Sequence, residues 1–368
     1  MLMWFLLGIV HESLQTAGRR FLEKAGVMKT ITEQSLSAAR NKIRWEAFQL
    51  IYRSTVEVAY EGYAETWNRY LVYAIDGTKT ELPHDPKLEA LFGEEKGSPL
   101  ARCSVCYDVL NHVIADAAIE PLNVCERTLA KRHIEAISNN KITAKSLAIH
   151  DRGYASEEYI RFLRDKKVKF LFRVKRKFNK RIDDFNKKDG CINLFGMRLR
   201  VIKITLDSGE VETLITDLLD VPYDEFKALY FLRWGVEKEY DVVKNKLEIT
   251  NFSGRTETAI RQDFFIHMTY ANIIAATEWE AQEELELQNA DKNLKYDYKI
   301  NTNHTVGVFR YYLTRIIFTN SPKKRAVLWD KVLELTKSAV VPIRPDRKVE
   351  RIVNTRKAKH HHNHKSNL

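Results

Sequence analysis

The sequence predicts an α/β protein in which a series of strands and helices is interrupted by a β-rich block. From Leu71 onward, apolar and amphipathic segments follow the order strand, strand, strand, helix, strand, helix, strand. Residues 176–218 then have the pattern of β-hairpins, and a long helix is predicted at about residues 223–248. Strands that alternate with helices are typical of a sheet covered by helices, so we expect that architecture here.

The N-terminal residues 1–70 are predicted to be helical. The opening MLMWFLLGIV is too short to span a bilayer and has neither the basic start nor the cleavage site of a signal peptide. A core helix in a cytoplasmic protein is therefore expected, and so abrupt an apolar start suggests a truncated domain. Thr32 is placed as an N-cap before apolar residues at helical spacing, which are Leu36, Ala39, Ile43, Phe48 and Ile51. Basic residues nearby could contact DNA phosphates or form the solvated face of a helical bundle; these are Arg40, Lys42 and Arg44.

The strand–helix series supplies two acids at the ends of apolar runs. LVYAIDGTKTELP contains a short apolar run that ends in Asp76. ARCSVCYDVLNHVIADAAIEP has two strand-like runs around a turn at Asn111–His112, and CERTLAKRHIEAI is an amphipathic helix. SLAIHDRGY is a further apolar run and ends in Asp151. ASEEYIRFLRDKK follows as a helix and KFLFRVKRKF as a strand. Because Asp76 and Asp151 each end an apolar run, each acid is expected where the sheet meets solvent.

The remaining segments are the β-rich block and the tail. INLFGMRLRVIKITLDSGEVETLITDLL predicts hairpins with a turn at residues 207–210. The C-terminal RPDRKVERIVNTRKAKHHHNHKSNL is a basic tail, expected to be flexible. Its histidines would bind nickel or zinc only opportunistically; they are His360, His361, His362 and His364.

The composition is that of a globular protein with a basic balance. The 368 residues are 44% hydrophobic and include 16 tyrosines and 17 phenylalanines, which argues against disorder. Lysine and arginine outnumber the acids 60 to 49, giving a net charge of +11. That excess favours a polyanionic partner, or simply solvated basic faces. Four cysteines do not make a disulfide framework in so long a chain, and the C-x-x-C of Cys103 and Cys106 is expected to hold buried thiols more readily than zinc.

The segment YFLRWGVEKEYDVVKNK carries four polar side chains at helix-compatible spacing. Tyr230, Arg233, Glu237 and Lys244 are separated by three, four and seven residues. At roughly 100° per residue they fall within an arc of about 60° on one helix face. Trp234 lies beside this face, where it could stack on a base or, more simply, be a buried core residue.

Asp76, Asp151 and Glu237 form the candidate catalytic set. Each alone has a structural explanation: a turn before Gly77, a cap, and an i,i+4 partner of Arg233, respectively. Together they offer three hard oxygen ligands from separate elements, which is the donor type that divalent cations prefer when a phosphate is to be activated.

These motifs resemble the IS4 family of bacterial transposases. Tyr230-x2-Arg233-x3-Glu237-x6-Lys244 matches the signature helix of that family without a gap. AIDGTKTELP is similar to its first-aspartate motif and AIHDRGYASEEYIRFL to its second, while FRVKRKF resembles a flanking segment. The resemblance runs from about Thr32 to the tail.

The resemblance implies a ribonuclease-H-like core, which is a mixed five-stranded sheet with helices and an inserted β domain before the glutamate helix. It implies a DDE triad of Asp76, Asp151 and Glu237 that binds Mg²⁺, with Mn²⁺ as a substitute. The expected chemistry is hydrolysis of phosphodiester bonds at transposon ends, followed by transfer of the liberated 3′-OH strand into target DNA. Phosphates of the DNA would be held by Tyr230, Arg233 and Lys244. The implied partners are double-stranded DNA, as terminal inverted repeats and target, and a second copy of the chain in a synaptic dimer.

The resemblance also divides the chain. The expected parts are a helical region over 1–70, a catalytic core over 71–175 and 219–290, a β-rich insertion over 176–218, and a C-terminal helical region with tail over 291–368. Two alternatives remain open: a ribonuclease-H-like nuclease or resolvase that cuts without joining, and a transposase-derived DNA-binding relic or repressor without catalysis.

Overall fold

The computed structural model describes most of the chain between residues 31 and 344. The described residues are 3, 6, 18, 19, 21–23, 26, 27, 31–61, 64–138, 144–206, 209–247 and 249–344. The predictions for the opening apolar run and for the turn at 207–210 lie partly outside this set, and the prediction for the histidine tail lies wholly outside it. The chain divides into two compact units, one of residues 44–272 and one of residues 1–43 and 273–368.

A nine-stranded mixed sheet forms the centre of the unit of residues 44–272. Its strands are β1 (Tyr70–Glu81), β2 (Glu94–Glu95), β3 (Ser98–Asp108), β4 (Val113–Glu120), β5 (Lys145–His150), β6 (Lys169–Val174), β7 (Asp189–Leu194), β8 (Met197–Thr205) and β9 (Val211–Thr216). Their order is β2-β3-β1-β5-β6-β9-β8-β7, and β4 pairs with β3. β1 runs antiparallel to β3 and parallel to β5, and β5 runs parallel to β6.

The predicted hairpin block continues this sheet. β9 pairs antiparallel with β6, so that Leu171 faces Thr216, and β8 and β7 follow outward. The insertion therefore shares its hydrogen-bonding ladder with the strand that precedes it. Strands β4, β3, β1, β5 and β6 remain as a contiguous five-stranded portion.

The helices are named here in chain order. They are α1 (Glu33–Arg40), α2 (Glu46–Ala59), α3 (Pro86–Phe92), α4 (Glu126–Ser138), α5 (Glu157–Asp165), α6 (Lys180–Asp183), α7 (Glu225–Phe231), α8 (Trp234–Asp241), a π-helix (Val242–Lys246), α9 (Glu257–Asn289), α10 (Thr302–Phe318) and α11 (Pro322–Lys337). The expected N-cap forms at α1, where Thr32 accepts a hydrogen bond from the Ser35 amide at 3.2 Å. The apolar pattern after it makes two helices, α1 and α2, because residues 41–45 leave the helical hydrogen-bond ladder.

The single long helix predicted at about residues 223–248 is wrong in detail. α7 and α8 are joined by a tightened turn, in which the amide of Arg233 bonds to the carbonyl of Tyr230 at 3.1 Å. The following π-helix is widened, because the amide of Leu247 reaches back five residues to Val242 at 2.9 Å. Short π-helical turns of this kind are often found at functional sites.

Helices pack on both faces of the sheet. Leu71, Tyr73 and Ile75 of β1 share a core cluster with Ala130 and Ile134 of α4. The alternation of side chains along a strand places Asp76 on the opposite face, where α8 packs on β1 and β3. β1 therefore contacts α4 on one face of the sheet and α8 on the other.

The second unit contains α1, the C-terminal part of α9, α10, α11 and a two-stranded sheet of β10 (Tyr298–Ile300) and β11 (Val340–Pro342). Its small core joins Ala281, Ile300 and Leu333. Throughout the described part of the chain, no helix combines the length and apolar character needed to cross a membrane.

Candidate active site

Asp76 and Asp151 are brought together by the parallel pairing of β1 with β5. The last pair in this register is Ala74 with Ile149, and the two aspartates each stand two residues further along. Asp151 follows β5 directly, as expected. Asp76 lies inside β1 and not at its end, because β1 continues to Glu81 in antiparallel pairing with β3.

The carboxyl of Asp76 is partly buried beside other charges. Burial raises its pKa from 3.8 to about 6. The Gly77 amide, which donates to Asp76 Oδ1 at 2.9 Å, and the Arg233 guanidinium lower that pKa, while Glu126 and Glu237 raise it. Asp76 therefore interacts with a cation and with two further acids.

Asp151 has an incompletely satisfied carboxylate. Its Oδ1 atom is buried and accepts no hydrogen bond from the residues that the structure describes. Nη1 of Arg173 lies 3.8 Å from that oxygen, too far for a hydrogen bond. The same guanidinium holds Glu212 of β9 at 2.8 Å, so the inserted strands contribute an acid to this region.

Glu237 comes from α8 and is ion-paired with Arg233 at 2.9 Å. The side chain of Arg233 is only 6% exposed, whereas that of Glu237 is 40% exposed. Arg233 also interacts electrostatically with Asp76 and with Asp151. One buried guanidinium is thus shared by all three candidate acids.

The donor chemistry of this site fits a divalent cation. Three carboxylates interact electrostatically with one positive charge, and a buried oxygen of Asp151 lacks a hydrogen bond from any described residue. Among the residues that the structure describes, however, no three acids, histidines or cysteines stand together at metal-binding positions. Glu237 is ion-paired with Arg233, so binding of a metal by Glu237 would compete with that ion pair.

The predicted phosphate-binding residues do not keep one common direction. Tyr230 is 3% exposed, and burial is the main cause that raises its pKa to about 12. Its hydroxyl has no hydrogen-bond partner among the described residues. Lys244, on the π-helix, donates to the hydroxyl of Thr78 on β1, whereas Arg233 turns to Glu237. Arg233 is the N-cap of α8 and Lys244 lies on the π-helix, so these residues do not belong to one regular helix.

Trp234 is not the buried core residue that was the simpler expectation. It is 47% exposed, at the first position of α8. The guanidinium carbon of Arg233 lies 5.2 Å from the centre of its ring, which is a cation–π geometry. An exposed aromatic ring is therefore available beside Arg233.

Several residues at the site were missed from the sequence. They are Glu126, Arg173, Glu212 and Tyr240. Tyr240 carried one usable signal, because it lies three residues after Glu237 on the same helix and so shares its face. Arg173 and Glu212 are ordinary charges in alternating strands, where the sequence gives no reason to prefer them.

Carboxylates are the donors that divalent cations prefer, and adjacent strands together with a helix on the same sheet can present several of them, as in enzymes that act on phosphate groups. The chain belongs to the family described as Transposase DDE domain, whose profile matches residues 67–273, more than half of its length. That range contains all three acids.

The proteins similar to this chain include a bacterial relative and a protein of known structure. "Putative transposase InsZ" of Escherichia coli K12 is 22% identical over 148 residues, which are 38% of this chain and 48% of that protein. The match therefore spans about half of the relative's length. The piggyBac transposase, in a cryo-EM structure of its synaptic complex with hairpin DNA, aligns with 90% of this chain and 74% of its own, with a TM-score of 0.51. At 8% identity, this likeness concerns the fold alone.

Proposed function

We propose that this chain is a DDE transposase of the IS4 type, with strands β4, β3, β1, β5 and β6 as a ribonuclease-H-like core. It would hydrolyse phosphodiester bonds at the ends of a transposable element and transfer the freed 3′-OH strand into target DNA. The observation that carries the proposal is that Asp76, Asp151 and Glu237, which come from separate elements, all interact electrostatically with the guanidinium of Arg233, which is ion-paired with Glu237 at 2.9 Å.

The three acids would hold Mg²⁺, with Mn²⁺ as a substitute. A bound divalent cation supplies Lewis-acid polarisation of the scissile phosphate and a more acidic water. Asp76 and Asp151 offer oxygens from adjacent strands, whose pairing fixes their separation. Glu237, on a partly exposed helix, can adjust its position when a cation enters.

The basic and aromatic residues would hold DNA. Once Arg233 is released from the acids, its planar guanidinium can bind a phosphate through two parallel hydrogen bonds. Tyr230, whose buried hydroxyl lacks a hydrogen-bond partner among the described residues, can donate to the same phosphate. Lys244 adds a point charge next to Thr78, and the half-exposed Trp234 can stack on an unpaired base.

The partners of this reaction would be double-stranded DNA and a second copy of the chain. A net charge of +11 supports binding to a polyanion. The structural likeness to a transposase that was solved as a synaptic complex with DNA supports the same choice of partner. A dimer would let two transposon ends be cut and joined together.

The test is cleavage and strand transfer on DNA that carries the terminal repeats of the element, in the presence of Mg²⁺ or Mn²⁺. Asp76→Asn, Asp151→Asn and Glu237→Gln are expected to lower cleavage by a factor of about 10³ or more, because each removes a charged metal ligand. Binding to the same DNA should stay within a few-fold of wild type.

Asp217→Asn is the matched control. Asp217 is also a buried acid with a pKa raised mainly by burial, but it pairs with Lys169 at 3.1 Å and with the Phe170 amide. The Asp217→Asn variant should cut the same DNA at a rate within a few-fold of wild type. Full cleavage by any of the three site variants would remove that residue from the site. A wild-type chain that binds terminal repeats yet never cuts them would instead establish the repressor alternative.

A further inference from the structure

The backbone carbonyl of Asp76 is held from both faces of the sheet. From the α8 side, the hydroxyl of Tyr240 donates to this oxygen at 2.7 Å. From the other side, the hydroxyl of Ser104 donates to it at 3.1 Å. One carbonyl thus receives two side-chain hydrogen bonds, one from each face of the sheet.

Ser104 is itself backed by a buried hydrogen-bond chain that runs through His133 to Asp116. Nε2 of His133 lies 2.9 Å from the Ser104 hydroxyl, and Nδ1 lies 2.6 Å from the Asp116 carboxylate. Both Ser104 and His133 are fully buried, so no substrate reaches them. This serine, histidine and aspartate therefore cannot serve as a hydrolytic triad.

The single hydrogen of the Ser104 hydroxyl fixes the direction of its two hydrogen bonds. The serine hydroxyl has one hydrogen, which it donates to the Asp76 carbonyl, so it must accept from Nε2 of His133. The other ring nitrogen, Nδ1, is held by the carboxyl of Asp116, which orients the imidazole toward Ser104.

The held carbonyl belongs to the peptide unit that orients the Asp76 side chain. A peptide is planar, so fixing its carbonyl oxygen also fixes the direction of the N–H on the next residue. That N–H is the amide of Gly77, which donates to Oδ1 of Asp76 at 2.9 Å. The two hydroxyls therefore act on the carboxylate through one rigid peptide plane.

Tyr240 also links two ligand-bearing elements. It lies on α8, three residues after Glu237, and its bond to the Asp76 carbonyl fastens that helix to β1. Movement of α8 relative to β1 would change the separation of Asp76 and Glu237.

We propose that Tyr240 and Ser104, the latter supported by His133 and Asp116, are positioning residues that set the Asp76 carboxylate for cation binding. The inference rests on the proposed function only in assigning Asp76 as a metal ligand. Outer hydrogen-bond partners of metal ligands commonly change metal affinity by 10- to 100-fold when they are removed.

The experiment measures the dissociation constant of Mn²⁺ by calorimetry on the full chain, without DNA. Tyr240→Phe and Ser104→Ala each remove one hydroxyl and are expected to weaken Mn²⁺ binding about tenfold. Asp116→Asn acts through two intermediate residues and is expected to weaken binding about threefold. Circular dichroism confirms that each variant is folded at the temperature used.

Tyr52→Phe is the matched control. Tyr52 is likewise a tyrosine whose hydroxyl donates to a strand carbonyl, that of Ile114, at 2.7 Å, and this carbonyl also receives a second bond, from Asn272 at 3.2 Å. The Tyr52→Phe variant should bind Mn²⁺ with an affinity within twofold of wild type, even though its Tm is lower than that of wild type. The inference is overturned if Tyr240→Phe lowers the Tm as Tyr52→Phe does and leaves Mn²⁺ affinity unchanged. Should Ser104→Ala fail to fold, Tyr240→Phe alone decides.

Failure of this inference can be told apart from failure of the proposed function. A wild-type chain that binds Mn²⁺ through Asp76, as judged by loss of binding in Asp76→Asn, but cuts no DNA would contradict the transposase reaction and leave the positioning role intact. Wild-type affinity that Asp76→Asn does not change would overturn the positioning role directly.

Discussion

Two aspartates in the same pair of strands, Asp76 partly buried and Asp108 fully buried, show how differently one chemical group can be used. Asp76 on β1 and Asp108 at the end of β3 both have a pKa raised to about 6 by burial. The Asp108 carboxylate accepts bonds from the Tyr60 hydroxyl at 2.8 Å and the Asn111 side chain at 2.9 Å, and two backbone amides donate to it as well. Within the described residues, the Asp76 carboxylate accepts one hydrogen bond, from the Gly77 amide.

The surroundings, and not the pKa, distinguish the two positions. Asp108 is saturated with hydrogen bonds and closes the turn between β3 and β4, which is a structural role. Asp76 is left with spare acceptor capacity beside Arg233, Glu126 and Glu237. A perturbed acid that is poorly hydrogen-bonded and lies among other charges is the better indicator of a functional site.

The first test measures how the free energy of unfolding depends on pH and how much of that dependence comes from Asp108. Its folded pKa is raised, so the folded state holds a proton more tightly than the unfolded chain, and stability falls as pH rises from about 4 through about 6. A shift of about two pH units corresponds to a loss of about 3 kcal/mol in the free energy of unfolding. Urea unfolding at pH 4 and pH 7 measures it.

Asp108→Asn provides the reference for that measurement. The variant cannot titrate at this position, so its stability should fall less between pH 4 and pH 7 than that of wild type. Asp76 titrates in both proteins, and its contribution therefore cancels in the difference. Identical pH profiles of the two proteins would show that Asp108 is already ionised in the acidic range.

The second test is stabilisation by a divalent cation. Mg²⁺ at a hundredfold excess over its dissociation constant should raise the free energy of unfolding by about 2.7 kcal/mol. Thermal unfolding at pH 7.5 with and without Mg²⁺ should show this gain in wild type and in Asp108→Asn, but not in Asp76→Asn. A gain that survives in Asp76→Asn would place the cation elsewhere.

The third test has the smallest expected effect. It removes the positive charge of Arg233, which interacts with Asp76. Arg233→Met leaves three acids without their shared positive charge and should lower stability by about 1–2 kcal/mol in metal-free buffer, a value reduced by the exposure of Glu237. Added Mg²⁺ should then stabilise the variant more than it stabilises wild type, because the metal no longer competes with a guanidinium.

Lys238→Met is the control for that substitution. It removes a cation from the exposed face of the same helix and should change stability by less than about 0.5 kcal/mol. Equal effects of the two substitutions would mean that Arg233 contributes only general charge and not a specific contact with the acids.

Much of the core of the site could be predicted from local pattern. Asp76 and Asp151 each follow a run of apolar residues, and such runs are buried strands, so the acids had to emerge at a sheet. Local pattern likewise predicted the succession of strands and helices along the chain, the turn before β4 and the cap at Thr32. Each of these depends on neighbours only a few residues away.

Other features depend on partners far along the chain. β1 extends to Glu81 because β3 pairs with it, although the residues after Asp76 are polar. Tyr240 reaches the Asp76 carbonyl across 164 residues of sequence. His133 did carry a signal, since it occupies the buried stripe of α4 between Leu129 and Ile137, yet its partners on two strands could not be read from that position.

The amino-acid sequence by itself determined which side chains are available and which segments become strands and helices, because burial pattern and hydrogen-bond propensity act over short distances. Only the tertiary structure decided that one guanidinium serves three acids and that two hydroxyls from opposite faces hold one carbonyl. Both arrangements depend on the parallel register of β1 with β5 and on the docking of α8, and these are set by the packing of the whole sheet.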